Sequence, residues 1–216
     1  MPAPTAQQLE GIASGALQSA GIRGQDAPGL AKALAQSTAQ ALSLFLSQAQ
    51  VLPGIPAAAP PPPGSGSTAG PGLLLPPPAG GPGATQLESP ALAALNGQAL
   101  RGKNAGDLAK VVSASLAQAI MLFTAQVQIA PGIAIAGLAT TSPGSFLTPP
   151  PGKAQLQPLA DGFMQQNGLR GQDAPALAGA IAEVIAQALT LFAAQVKVAP
   201  GIACSPGASV APGSLL

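Results

Sequence analysis

Acid–base, metal or nucleophilic chemistry in this chain has little to draw on: seven carboxylates, eight cationic side chains and one thiol, with no His and no Tyr. Histidine is the commonest general base and, with cysteine, the usual ligand of zinc. The carboxylates, Glu10, Asp26, Glu88, Asp107, Asp161, Asp173 and Glu183, are scattered along the chain, and several fall at or near predicted helix starts, where capping accounts for them. Cys204 has no second cysteine to pair with. The Gly-rich run GSGSTAGPG lacks the Gly-Lys-Ser/Thr that follows in a phosphate-binding loop. The expectation is a chain that is not an enzyme, with no catalytic residues, no cofactor and no metal.

Arg23, Arg101 and Arg170 are the charged residues that recur, each in the setting GIRG, ALRG or GLRG. Two roles suit them: pairing with helix-end carbonyls or with Asp26 and Asp173, and contact with a partner surface. Only 7% of residues are charged and the formal net charge is +1, so no basic footprint exists for nucleic acid or for an anionic membrane. The most apolar stretch, around Val111 to Gly137, carries Ser and Gln and is broken by Pro131-Gly132, which disfavours a membrane span. The N-terminus lacks a basic and then an apolar segment, so no secretory signal is expected and synthesis in the cytoplasm is the default. An Ala-rich, weakly charged chain of this kind is expected to be oligomeric in context, hiding surface in an assembly.

The recurring Arg belong to a larger pattern. Gln8–Ile55 aligns without a gap on Gln86–Ile133 and on Gln155–Ile202, placing Phe45, Phe123 and Phe192 together, and Pro53, Pro131 and Pro200 together. A second Pro-Gly closes each copy, at Pro71-Gly72, Pro143-Gly144 and Pro212-Gly213. Each unit reads as two helices and an extended tail. Gly24, Gly102 and Gly171 are expected to take the positive φ of the interhelical connection. Asp26, Asn104 and Asp173 are expected to cap the second helix, with Pro28 and Pro175 in its first turn. Steps of three and four give that helix a stripe, for example Leu108, Val112, Leu116, Ile120 and Phe123.

After the Phe the period falls to about two, as in Val127, Ile129, Ile133 and Ile135, around a Pro-Gly suited to a type II turn. These segments are expected either to form a short hairpin or to pair with another subunit. The predicted fold is mainly α: three tandem helical-hairpin repeats forming a small bundle, each followed by a short extended or β segment, with Pro/Gly-rich linkers. The boundaries are repeat 1 over 5–55, a linker over 56–84, repeat 2 over 85–138, a linker over 139–153, repeat 3 over 154–202, and an extended tail over 203–216.

The unit endings QVQIAPGIAIAG with TTSPGSFL, and QVKVAPGIACSPG with APGSLL, resemble those of short structural proteins of tailed bacteriophages. That resemblance implies a virion component of head, neck, tail or baseplate, made in the bacterial host cytoplasm and bound to other structural subunits; three copies in one chain, an approximate threefold unit or half of a pseudo-sixfold ring, would suit a symmetric site. The expected partner contacts are Arg23, Arg101, Arg170, Phe45, Phe123, Phe192, Pro131, Gly132, Pro200 and Gly201. The alternative is a cellular adaptor whose hairpins bind partner helices and whose Pro60–Pro63 run serves as a polyproline ligand.

Overall fold

A computed structural model describes residues 3–58 and 64–216; the Pro60–Pro63 run lies outside the described residues. The chain is mainly α, about 52% helical, with six helices and several short strands among the described residues. Short helices α1 (Ala6–Ser19), α3 (Ala84–Gly97) and α5 (Lys153–Gln166) alternate with long ones, α2 (Ala27–Gln48), α4 (Ala105–Gln126) and α6 (Ala174–Gln195). Alanine supplies helix propensity at no side-chain entropy cost, and the larger apolar residues supply the buried face. In α4 the stripe Val112, Leu116, Ile120 and Phe123 is buried, and Leu108 at its start is half-buried. The long helices stop where β-branched residues and Pro-Gly follow, with the N–H groups of Ala49, Val127 and Val196 bonding back to Phe45, Phe123 and Phe192.

Each short helix packs on the long helix that follows it, and also on another long helix: α3 on α2, α5 on α4, and α1 on α6. The three long helices contact one another at the centre. Both α4 and α6 are long and apolar enough to cross a membrane, but here more than half of each apolar window is buried inside the protein.

Two sequence expectations about the helix connections are corrected. The residues with positive φ are Gly21, Ala99 and Gly168 (φ 76°, 60° and 71°), not Gly24, Gly102 and Gly171. The reversal comes immediately after the first helix, where Ile22, Leu100 and Leu169 donate their N–H groups back to Leu17, Leu95 and Met164. Asp26, Asn104 and Asp173 do occupy the positions before the second helices, but none of their side chains makes a capping bond. Asp26 and Asp173 already have helical φ/ψ, whereas a capping side chain needs an extended residue to turn back on the first amides. Thr5 is extended and does cap, with Gln8 donating its N–H to the Thr5 hydroxyl and accepting the Thr5 N–H at 2.9 Å.

The segments expected to be linkers carry strands. Ten strands are found among the described residues: β1 (Gln50–Val51), β2 (Pro56–Ala58), β3 (Ser65–Thr68), β4 (Gly72–Leu73), β5 (Gln128–Ile129), β6 (Ala134–Ala136), β7 (Ala139–Thr140), β8 (Cys204–Ser205), β9 (Gly207–Ser209) and β10 (Gly213–Ser214). They form two layers. In the first, next to the helix ends, extended segments alternate around a full circle: Val51 with Leu74, Gly72 with Ile129, Ile129 with Phe146, Gly144 with Val198, Val198 with Leu215, and Gly213 with Val51. In the second, an antiparallel sheet runs β7-β6-β3-β2-β9-β8, and a bridge from Ala139 to Ala203 brings its two edges together.

The segments flanking Pro131-Gly132 therefore do not pair with each other. Strand β5 joins β4, and β6 joins β3 and β7. A ladder needs a partner edge at the right spacing, and a turn at Gly132 (φ 94°) instead carries the chain from one layer to the other.

Candidate functional site

The residues singled out from the sequence fall into three places. Phe45, Phe123 and Phe192 converge at the centre, fully buried, with ring centroids 5.4–5.9 Å apart. Two of the three pairs are edge-on, the arrangement that sets a positive ring edge on a negative face. Phe146 adds a fourth ring against Phe123 at 5.7 Å. The expectation of a partner contact at these three Phe is corrected: their rings lie in the core, out of reach of another molecule. Burial of each ring is worth roughly 1.5–3 kcal/mol.

The Pro-Gly turns make the second place. Pro131, Gly132, Pro200 and Gly201 are exposed, as are Pro53 and Gly54. Their backbone partners lie elsewhere in the same chain: Gly132 N–H bonds to Thr68 O at 2.8 Å, Gly201 to Thr140 O at 2.7 Å, and Gly54 to Ser209 O at 2.8 Å. The following residue repeats the contact through a side chain. Ile133 N–H donates to the Thr68 hydroxyl at 3.0 Å, Ile202 to that of Thr140 at 2.9 Å, and Ile55 to that of Ser209 at 2.9 Å. All three hydroxyl residues are buried. They were missed as candidates, yet a signal exists: Thr68, Thr140 and Ser209 each stand three residues before the second Pro-Gly.

The second Pro-Gly itself is a close-approach device. A Cβ at Gly72, Gly144 or Gly213 would meet Ile55, Ile133 or Ile202 Cδ1 at 2.7, 2.6 and 2.5 Å, and on the other side Ile129, Val198 or Val51. Only glycine lets the tail pass between these two apolar side chains.

Arg23, Arg101 and Arg170 make the third place. The three connections between short and long helices gather at one end of the molecule around an open depression of about 900 Å³, with Leu30, Leu108 and Leu177 among its half-buried lining. All three Arg are exposed, and among the described residues none forms an ion pair or a side-chain hydrogen bond. The expected pairing with Asp26 and Asp173 is absent there; the ion pairs join Lys32 to Glu10, Lys110 to Asp107 and Lys153 to Glu183. The connections differ in charge: RGQD in the first and third units, RGKN in the second, so the cationic excess sits with Arg101 and Lys103.

A smaller hollow of about 620 Å³ lies among α1, α5 and α6, where Gly11 and Gly15 leave space beside the pair of exposed Lys153 and half-buried Glu183. Among the described residues no group of three or more His, Cys, Asp or Glu is placed to hold a metal ion. Cys204 is buried, its Sγ donating to Ile202 O at 3.4 Å, and burial pushes its thiol pKa up, away from the reactive thiolate. Comparison of the chain with protein-family models, with curated proteins and with solved structures found no match.

Proposed function

We propose that this chain is a non-enzymatic structural protein in which three copies of one helical-hairpin unit close into a pseudo-threefold body that docks on neighbouring subunits of a larger assembly. The observation that carries the reading is the recurrence of one contact set between successive units. The pairs α2 with α3, α4 with α5 and α6 with α1 match the pairs Gly72–Ile129, Gly144–Val198 and Gly213–Val51. They match again in the Thr68–Ile133, Thr140–Ile202 and Ser209–Ile55 hydrogen bonds. The arms that would otherwise reach to other subunits are taken up inside the chain. Contact with a partner then falls to the exposed surfaces, of which the end bearing Arg23, Arg101 and Arg170 combines free guanidinium groups with an apolar floor.

The assembly proposed is a tailed-phage particle, with the chain as an accessory of head, neck, tail or baseplate. The resemblance of the QVQIAPGIAIAG and QVKVAPGIACSPG endings supports this. So does a pseudo-threefold body, which suits a threefold or sixfold site on such a particle. The test is detection of the chain by antibody in purified particles, with labelling in electron micrographs to locate it. Recovery at a fixed copy number in particles is expected. Absence from particles, with co-purification in a cellular complex, would overturn the assignment.

Within that reading, Arg23→Ala, Arg101→Ala and Arg170→Ala together should abolish incorporation while leaving the unfolding midpoint of the free chain unchanged. Loss of stability instead would make the three Arg structural.

A further inference from the structure

We infer that the end of the molecule bearing Arg23, Arg101 and Arg170 receives an acidic segment of a partner protein, which sets carboxylates on the guanidinium groups and an apolar side chain in the depression between them. The inference rests on the docking role proposed above and names the chemistry of the partner. Charge is sparse in this chain and unevenly placed. All three Arg and Lys103, half of the eight cationic side chains, line this one depression, against two carboxylates, Asp26 and Asp173. The ten strands at the other end of the long helices carry no charged residue.

The four cationic side chains are exposed, and among the described residues none of them is in an ion pair. A guanidinium takes a carboxylate as a two-pronged fork, so three of them round one hollow suit a segment with several carboxylates rather than a single ion. Ala27, Ala105 and Ala174, the first residues of α2, α4 and α6, also line it, and the positive ends of three helix dipoles add to the same sign. The floor is apolar, with Leu30, Leu108 and Leu177 half-buried, and about 900 Å³ gives room for side chains of a short segment. Such a floor offers a phosphate backbone nothing to bind, and Asp26 and Asp173 repel one. Two copies of this end face to face would oppose like net charges, which disfavours self-association there.

The connections also give the site a direction. RGQD at 23–26 and at 170–173 is replaced by RGKN at 101–104, so the carboxylates of the segment are drawn towards Arg101 and Lys103. Asn104 holds nearly the backbone conformation of Asp26 and Asp173, so either sequence fits any of the three connections without cost to the fold. The test uses the full chain and fluorescence anisotropy of a labelled peptide of four Glu flanking two Leu, at low salt. Saturable binding is expected, at least tenfold weaker when the four Glu are replaced by Gln and at least threefold weaker when the two Leu are replaced by Ala. Lys103→Gln with Asn104→Asp should weaken binding about fivefold, and Gln172→Lys with Asp173→Asn should strengthen it about fivefold, as two exposed charges at a rim do.

Absence of saturable binding, or equal binding of the Glu and Gln peptides, would overturn the inference. Binding unchanged in both double variants would overturn it too, because the peptide would then sit elsewhere. An oligothymidylate of the same net charge that binds as tightly as the peptide would replace the acidic segment by a phosphate backbone and so sink the proposal. The measurement is made on the free chain, so its failure is distinct from absence of the chain from purified particles, which bears only on the assembly assigned above.

Discussion

The Thr68 hydroxyl accepts the backbone N–H of Ile133 at 3.0 Å, while the Thr68 carbonyl accepts that of Gly132 at 2.8 Å. One buried residue of the first unit thus satisfies two consecutive amides of the second. Thr140 does the same for Gly201 and Ile202. Ser209 closes the circle on Gly54 and Ile55.

Thr68→Val and Thr140→Val keep the shape of the side chain and remove the acceptor. Each leaves a buried N–H unsatisfied and should lower stability by about 1–3 kcal/mol in urea unfolding. Ser209→Ala should cost at least as much, because its hydroxyl accepts from both Gly54 and Ile55. Variants that unfold at the wild-type midpoint would show that these bonds contribute nothing net.

Ala99 holds φ at 60°, where its counterparts Gly21 and Gly168 are free of a Cβ. The left-handed conformation costs an alanine roughly 1–2 kcal/mol, partly offset by the greater freedom of glycine in the unfolded chain. Ala99→Gly is therefore expected to raise stability by about 0.5–1 kcal/mol, and Gly21→Ala to lower it by a similar amount. A thermal melt in which Ala99→Gly lowers the midpoint would refute the assignment of strain to this residue.

Ser115 Oγ is buried and has no hydrogen-bond partner among the described residues, whereas the equivalent Ser37 Oγ donates to Ala33 O at 2.8 Å. The third unit places Val184 there. Ser115→Ala should stabilise the protein by about 1 kcal/mol, and Ser37→Ala should not. Equal effects of the two substitutions in chemical denaturation would mean that Ser115 finds an acceptor after all.

Cys204 gives a pH dependence whose sign follows from its burial. The folded state holds the thiol pKa above the ordinary value of 9.0, so well below that value this group adds no pH dependence to stability. As pH rises through it, the unfolded chain ionises first and stability is lost. Cys204→Ala should flatten this part of the stability curve. Native protein should also react slowly with iodoacetamide and urea-unfolded protein quickly; rapid native alkylation would contradict the buried position.

Much of the helical layer was legible in the sequence. The Ala-rich background, the stripe ending in Phe45, Phe123 and Phe192, and Pro28 and Pro175 in the first turn each act over one or two helical turns, a distance that local pattern covers. The Pro-Gly turns were legible for the same reason: Gly54, Gly132 and Gly201 take φ of 94–96° where a type II turn requires it. The interhelical reversal was misplaced because it is set by the N–H groups of Ile22, Leu100 and Leu169 bonding back to the helix end, which places the positive φ at Gly21, Ala99 and Gly168 even where, as at Ala99, no glycine marks it.

What the sequence by itself determined is therefore local: the helices, their apolar stripes and the Pro-Gly turns. Tertiary structure decided which segment each extended arm joins. Gly72 faces Ile129, Ser209 faces Ile55 and three distant Phe meet, all through contacts between residues far apart along the chain. An alternating strand records that it needs an edge but not whose edge. That choice is made when the helices pack, because α1 on α6 is what carries the last strand back to the first.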